Sequence, residues 1–280
     1  MWHALSNASP SDCAFVFESA LVTRFNTQLM MATQDPDPTG RGYYNRREAG
    51  VVLARRLAAY AGRPDVIVLG LPRGGVPVAY EVARALDAPL DVFVVRKLGL
   101  PGQEEMAMGA VASGDTVVLN RNLIRTMGIP DAGVARVLSA ERHELARREH
   151  AYRGDRPPVA VAGKIVILAD DGLATGSSML AAVEALKQRQ PARLVVAAPV
   201  GAAETCSALG RYADDVVCAI TPTPFDGVGA WYADFRQTTD DEVRDLLRRA
   251  DEEWAHSRDL RDGSVNGASG DAPETHPPAL

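Results

Sequence analysis

The chain has 280 residues, 46% hydrophobic and 24% charged, enough apolar sequence for a sizeable core in one or two domains. Its net charge of −6 sits mostly at the end: residues 251–280 hold seven Asp and Glu against two Arg, and the rest is close to neutral, which argues against a nucleic-acid partner. No apolar run approaches the roughly 20 residues of a membrane helix, the start lacks the basic segment of a signal peptide, and Cys13, Cys206 and Cys218 lack metal-ligand spacing, so the sequence reads as cytoplasmic, with reduced thiols and no membrane partner.

Residues 1–42 are irregular, with one short helix expected near 13–24. Met30 and Met31 lie just before the ordered pattern and offer a second translational start. From Arg46 to Ala61, Ala49, Val52, Leu53, Leu57 and Tyr60 recur on one helical face, and Gly62 and Pro64 end the run. Val66 to Leu69 is a short buried strand. Gly70-Leu-Pro-Arg-Gly-Gly-Val-Pro77 follows it and leads into a helix over Val78 to Leu86. Taken alone this is either a tight strand-helix turn or a backbone path that exposes N–H groups to a ligand. Leu90 to Val95 is another strand. It ends in Arg96-Lys97 and a Gly-Pro loop reaching Glu104 and Glu105. Two cations beside a flexible loop suit a polyphosphate; the two glutamates could orient a metal ion or a second substrate, or could be solvated.

Met106 to Asn120 reads as a hairpin turning at Ser113-Gly114-Asp115, Arg121 to Met127 as a short helix and Asp131 to Arg153 as a long one. His143 and His150 lie seven residues apart on the latter without a third ligand nearby, and read as surface or partly buried histidines. Lys164 to Met179 is the most informative stretch. An apolar strand, Ile165 to Ala169, runs into Asp170 and Asp171, then into the small-residue loop Gly172 to Ser178 and a helix over Met179 to Arg189. Small residues let backbone N–H groups approach an anion at a helix N-terminus, and Thr175, Ser177 and Ser178 add hydroxyl donors. The paired carboxylates suit ribose hydroxyls or a hydrated metal ion.

Strand Arg193 to Pro199, helix Ala202 to Tyr212 and strand Val216 to Thr221 continue an alternation that predicts a mostly parallel sheet. Residues 221–239 then break the pattern and concentrate Phe225, Trp231, Tyr232 and Phe235. These aromatics either stack on a flat ligand or anchor the final helix, Asp240 to Trp254. The end of the chain, rich in Gly, Ser, Pro and acids, reads as disordered.

Apolar strand, Asp170-Asp171, three small or apolar residues, Thr175-Gly176 and Ser177-Ser178 together resemble the phosphoribosyl-pyrophosphate signature of type I phosphoribosyltransferases. With N-R-R-E-A-G near the start and V-R-K-L-G-L-P later, the chain looks most like a bacterial group of such proteins with undefined substrate. The resemblance implies an α/β domain over residues 43–254, a mostly parallel central sheet flanked by helices with a small hood, between an irregular extension (1–42) and a disordered acidic tail (255–280). It implies transfer of 5-phosphoribosyl from phosphoribosyl pyrophosphate to a nitrogen acceptor, with Mg2+. Asp170 and Asp171 would hold the ribose and, through it or through water, the metal. Gly172, Leu173, Ala174, Thr175, Gly176, Ser177 and Ser178 would wrap the 5′-phosphate, and Arg73, Gly74 and Gly75 would face the pyrophosphate. Arg96 and Lys97 would also contact pyrophosphate, under a mobile lid over residues 98–109. Trp231, Tyr232 or Phe235 would meet the acceptor. Partners would be small molecules and a second copy of the chain, as a dimer.

Enzymes of that family for 6-oxopurines carry an acid where Ala174 stands, which weakens a hypoxanthine or guanine assignment; the Ala-Thr-Gly form looks closer to adenine enzymes. Two other readings share the fold: a non-catalytic sensor of phosphoribosyl pyrophosphate or a nucleotide, and a phosphoribosyl hydrolase. Arg96, Lys97 and the lid favour an enzyme, and no helix-turn-helix extension supports a DNA-binding repressor.

Overall fold

The computed structural model describes residues 42–266. The irregular extension over 1–41 with its short helix, the second start at Met30, Cys13 and the tail beyond 266 lie outside the described residues.

Five strands form the central sheet: β1 (Val66–Gly70), β2 (Leu90–Val92), β6 (Ile165–Ala169), β7 (Arg193–Val200) and β8 (Asp215–Ile220). All pairings are parallel, in the order β2-β1-β6-β7-β8. β1 and β6 are apolar at every position because both sheet faces are covered, and every residue in them is buried. Side-chain alternation sorts them between two cores. Val66 and Val68 join α1 (Arg46–Arg56), α2 (Gly75–Leu86) and the long α4 (Asp131–Arg153) on one face. Ile67 and Leu69 join α5 (Ser177–Gln188) and α6 (Ala203–Leu209) on the other. β1 and β6 run in register from Val66↔Ile165 to Gly70↔Ala169, so their C-terminal ends emerge side by side. β1 leads to β2 on one side, while β6 to β8 extend the other. That reversal of strand order is where open α/β sheets bind ligands.

The smaller second layer is an antiparallel sheet of β3 (Val95–Leu100), β4 (Gln103–Ala112) and β5 (Thr116–Leu119). The β4–β5 turn falls where the sequence predicts it, with Gly114 and Asp115 at positive φ. The expected mobile loop over 98–109 is instead strand for most of its length: β3 and β4 pair from Val95↔Ala112 to Leu100↔Gln103, with register shifts at Gly99. Alternating Leu98, Leu100 and Met108 are fully buried, and that apolar anchoring makes a hairpin of a segment whose glycines and proline suggest a loop. The segment expected as one strand, Leu90 to Val95, is split accordingly: β2 stays in the main sheet and β3 opens the second.

Two further ends differ from the sequence reading. The first helix stops at Arg56, followed by a 3-10 turn over Ala58–Tyr60. The last helix, α7 (Asp240–Asn266), runs past Trp254 into the segment expected to be a disordered tail from 255. Arg258 stacks over Trp254 of the same helix at 4.9 Å, and Arg261 pairs with Asp87, just past the end of α2, which ties the extra turns to the domain. A short helix, α3 (Arg121–Thr126), completes the elements. No helix among the described residues is long and apolar enough to cross a membrane.

Candidate active site

The two strand-end motifs meet. Asp170 and Asp171 follow β6 directly, and the turn after β1 lies against them. A Cβ added to Gly75 would stand 2.7 Å from the Ala169 carbonyl oxygen and 2.9 Å from the Asp170 Cα; one added to Gly74 would collide with the Asp171 carboxylate. Glycine is required at both positions by close approach, since neither has a positive φ. The Pro72–Arg73 peptide in this turn is cis. Arg73 reaches the first residue of α7, with Nη1 3.5 Å from Asp240 Oδ1. The Tyr152 hydroxyl donates to the same oxygen at 3.2 Å.

Both aspartates are half-buried, and the loss of surrounding water pushes both carboxyls above their ordinary pKa. The adjacent Asp171 charge pushes Asp170 further. Asp171 has a counterweight: Arg46 Nε donates to its Oδ2 at 2.7 Å, with both side chains largely buried. Arg46 opens α1, whose N-cap Asn45 accepts from the Glu48 N–H at 3.0 Å. Cations in a first helical turn oppose the helix dipole. Here Arg46 is drawn to Asp171, and Arg47 reaches the buried Glu81 at 2.7 Å.

The aromatic segment closes over the same acid. The Tyr232 hydroxyl donates to the Asp171 carbonyl oxygen at 2.6 Å. Its ring stacks on Phe235 at 5.0 Å and tilts against Tyr43 at 5.6 Å. The Arg46 guanidinium lies 3.9 Å from the centre of the Phe235 ring and donates through Nη1 to the Arg236 carbonyl at 2.7 Å. Tyr232 is buried with ring and hydroxyl both engaged, so it braces Asp171 rather than offering a face to an acceptor. Phe235, 36% exposed, is flanked by Tyr232 and Arg46. Trp231 is half-buried in the short 3-10 turn Val228–Trp231.

The loop after the acids is pinned by its backbone. Leu173 is buried; its N–H donates to the Val200 carbonyl and its carbonyl accepts from Ala202, each at 2.9 Å. The Thr205 hydroxyl donates to the Ala174 carbonyl at 2.6 Å. Gly176, at φ +69°, turns the chain into α5, and Ser177 and Ser178 open that helix. The Thr175 and Ser177 hydroxyls lie 3.2 Å apart. Leu173 is therefore an anchor, while Ala174 to Ser178 present small side chains and a twelve-residue helix's N-terminus. Below the loop, Cys206 and Cys218 form a disulfide between α6 and β8, against the expectation of reduced thiols. Twelve residues apart in sequence, they are brought together by the α6–β8 turn, which spacing alone does not reveal.

The cations expected near pyrophosphate are not both available. Arg96 and Lys97 lie within β3, so their side chains point to opposite faces. Arg96 Nε pairs with Glu141 Oε2 of α4 at 2.7 Å, while Lys97 is exposed. Sequence reasoning missed Arg46, Tyr43 and Asp240. Only Arg46 left a signal, as a cation in the first turn after a strong N-cap.

A family model described as the phosphoribosyl transferase domain matches residues 47–230. The chain belongs to this family. It is 41% identical over 237 residues to Rv0571c of Mycobacterium tuberculosis strain H37Rv and to MT0597 of strain CDC 1551, both provisionally named phosphoribosyl transferases. The match covers 82% of this chain and 53% of those proteins, so the chain spans about half the length of the curated relatives it matches. The crystal structure of TT1426 from Thermus thermophilus superposes with a TM-score of 0.66 at 44% identity, covering 74% of this chain and 97% of that one. The phosphoribosyl transferase domain thus spans β1, the β1–α2 turn, the second sheet, the acid pair and β8.

Proposed function

We propose that this domain transfers a 5-phosphoribosyl group from phosphoribosyl pyrophosphate to a nitrogen acceptor and releases pyrophosphate. The observation carrying this reading is the packing of Gly74 and Gly75 on Asp171 and Asp170, which joins two ligand loops at one point. A ribose held by the two carboxylates has its 5′-phosphate directed to the amides and hydroxyls of 174–178 and its pyrophosphate directed to 72–75. Attack by the acceptor nitrogen on C1 breaks the C1–O bond, and the bonding electrons leave with pyrophosphate. Positive charge grows on the sugar near two carboxylates, and negative charge grows on the leaving group, near Arg73. Lys97, exposed where Arg96 is engaged, is the better candidate for a second cation. Trp231 and the open edge of Phe235 are the candidate acceptor contacts.

The residues fit magnesium delivered with the donor. Two carboxylates stand together, and no group of three or more His, Cys, Asp or Glu among the described residues forms a metal cage. Magnesium favours few protein carboxylates plus phosphate oxygens and water. When bound it would neutralise charge on the leaving pyrophosphate.

Calorimetric titration with magnesium phosphoribosyl pyrophosphate tests the donor site in wild type and in Asp170→Asn/Asp171→Asn. Binding lost in the folded double variant supports the reading, and a folded wild type that binds no donor overturns it. Pyrophosphate release across a panel of nucleobases then identifies the acceptor; release with no base added indicates a hydrolase instead.

A further inference from the structure

We infer that Arg46 is a positioning residue that holds Asp171 in its ribose-binding orientation and ties the donor acids to the acceptor-side wall. The inference rests on the donor-site reading above and assigns a residue outside both ligand loops. A single guanidinium makes three contacts in three directions: Nε to Asp171 Oδ2 at 2.7 Å, Nη1 to the Arg236 carbonyl at 2.7 Å, and its face 3.9 Å over Phe235. It therefore joins α1, the end of β6 and the 231–236 segment. A planar guanidinium can do this at fixed geometry, whereas a lysine ammonium offers a point charge without the stacking face.

Its placement has a cost that the helix itself does not explain. Arginine in a first turn opposes the helix dipole, and ordering a long side chain to 12% exposure sacrifices rotamer entropy. What offsets these terms is the charge of Asp171. The charged and titratable groups facing that carboxyl are Asp170 beside it, Arg46 from α1 and Tyr232 from the aromatic segment; Gly74 brings only backbone from the β1–α2 turn. Tyr43 lies beyond Tyr232, and Asp234 beyond Arg46. Arg46 is the one cation among them. Without it, two adjacent half-buried carboxyls lose their counter-charge, and Asp171 is free to rotate away from the ribose position.

The test combines Arg46→Met and Arg46→Lys with donor titration from pH 5.5 to 8.5, and with carbon-13 NMR titration of the aspartate carboxyls in ligand-free protein. Expected for Arg46→Met is donor affinity reduced about 10- to 100-fold at neutral pH, the equivalent of one charge-assisted hydrogen bond. The acidic limb of the binding profile and the Asp171 carboxyl titration both move to higher pH. Arg46→Lys recovers the titration but only part of the affinity, because charge returns without the stack on Phe235. If Arg46→Met binds the donor as tightly as wild type with an unchanged profile, the inference falls while the donor site stands. A wild type that binds no donor overturns both.

Discussion

Gly75→Ala tests whether the two ligand loops work as one unit. A Cβ at position 75 would lie 2.7 Å from the Ala169 carbonyl oxygen, and ordinary contact begins near 3.4 Å, so about 0.7 Å of separation must be found. The next obstacles are the Asp170 Cα at 2.9 Å and its Oδ1 at 3.0 Å. Two of these three are backbone atoms of β6 or its exit, held by pairing with β1 and β7. No side-chain rotation relieves the clash, so the β1–α2 turn must shift away from the acids. Overpacking of this kind costs about 1–3 kcal/mol, or roughly 2–12 °C in Tm for a domain of this size. A displacement approaching 1 Å between groups that grip one substrate costs up to about a hundredfold in rate. Gly74→Ala is the internal control, because its Cβ meets the Asp171 carboxylate, a side chain that can turn. Calorimetric melting and donor titration should therefore separate the variants: Gly75→Ala loses stability and donor affinity together, and Gly74→Ala loses mainly affinity. If Gly75→Ala melts and binds like wild type, the two loops do not pack as described and their union carries no function.

Asp170→Asn should raise Tm at pH 7.5 and leave it nearly unchanged near pH 4. The folded-state pKa of Asp170 is raised by burial and by Asp171, so between the unfolded value of about 3.9 and the folded value the native state holds more protons, and stability falls as pH rises; a variant no more stable at pH 7.5 contradicts this. Tyr232→Phe should cost about 0.5–1.5 kcal/mol in a urea melt through loss of the 2.6 Å bond to the Asp171 carbonyl. Cys206→Ser should cost about 3 kcal/mol by loop closure across the twelve-residue separation. A reductant should reproduce that loss in wild type, whereas free thiols in a non-reducing mass spectrum would remove the basis for it.

The fold was legible wherever one physical requirement dominated the sequence. β1 and β6 are buried on both faces, and only uninterrupted apolar runs satisfy that. The β4–β5 turn was legible because Gly114 and Asp115 take the positive φ that such residues favour. The β3–β4 hairpin was not. Gly99 and Gly102 mark a loop by composition, yet the buried alternation of Leu98 and Leu100 decides for strand, and what they pack on lies far along the chain. Arg96 was misplaced for the same reason, since its partner Glu141 is 45 residues away. In the candidate site, the acid pair and the small-residue loop were legible because backbone chemistry demands those residue types. Tyr232 and Arg46 were not, because aromatic and arginine side chains serve many purposes and only the fold selects one.

These two kinds of residue divide the work at the acids. Asp170 is set where burial and the neighbouring Asp171 oppose its charge, whereas Asp171 is balanced by Arg46. Strain of this sort persists when surrounding structure holds it, and the holders here come from two sequence-distant elements: Arg46 from α1 and Tyr232 from beyond β8. Asp170→Asn should relieve the molecule and weaken donor binding, whereas Asp171→Asn, which leaves Arg46 unpaired, and substitutions at the holders should weaken both. That opposition in sign at Asp170 separates a ligand-binding acid from a structural one. An Asp170 kept for structure alone would lose stability when it became an amide.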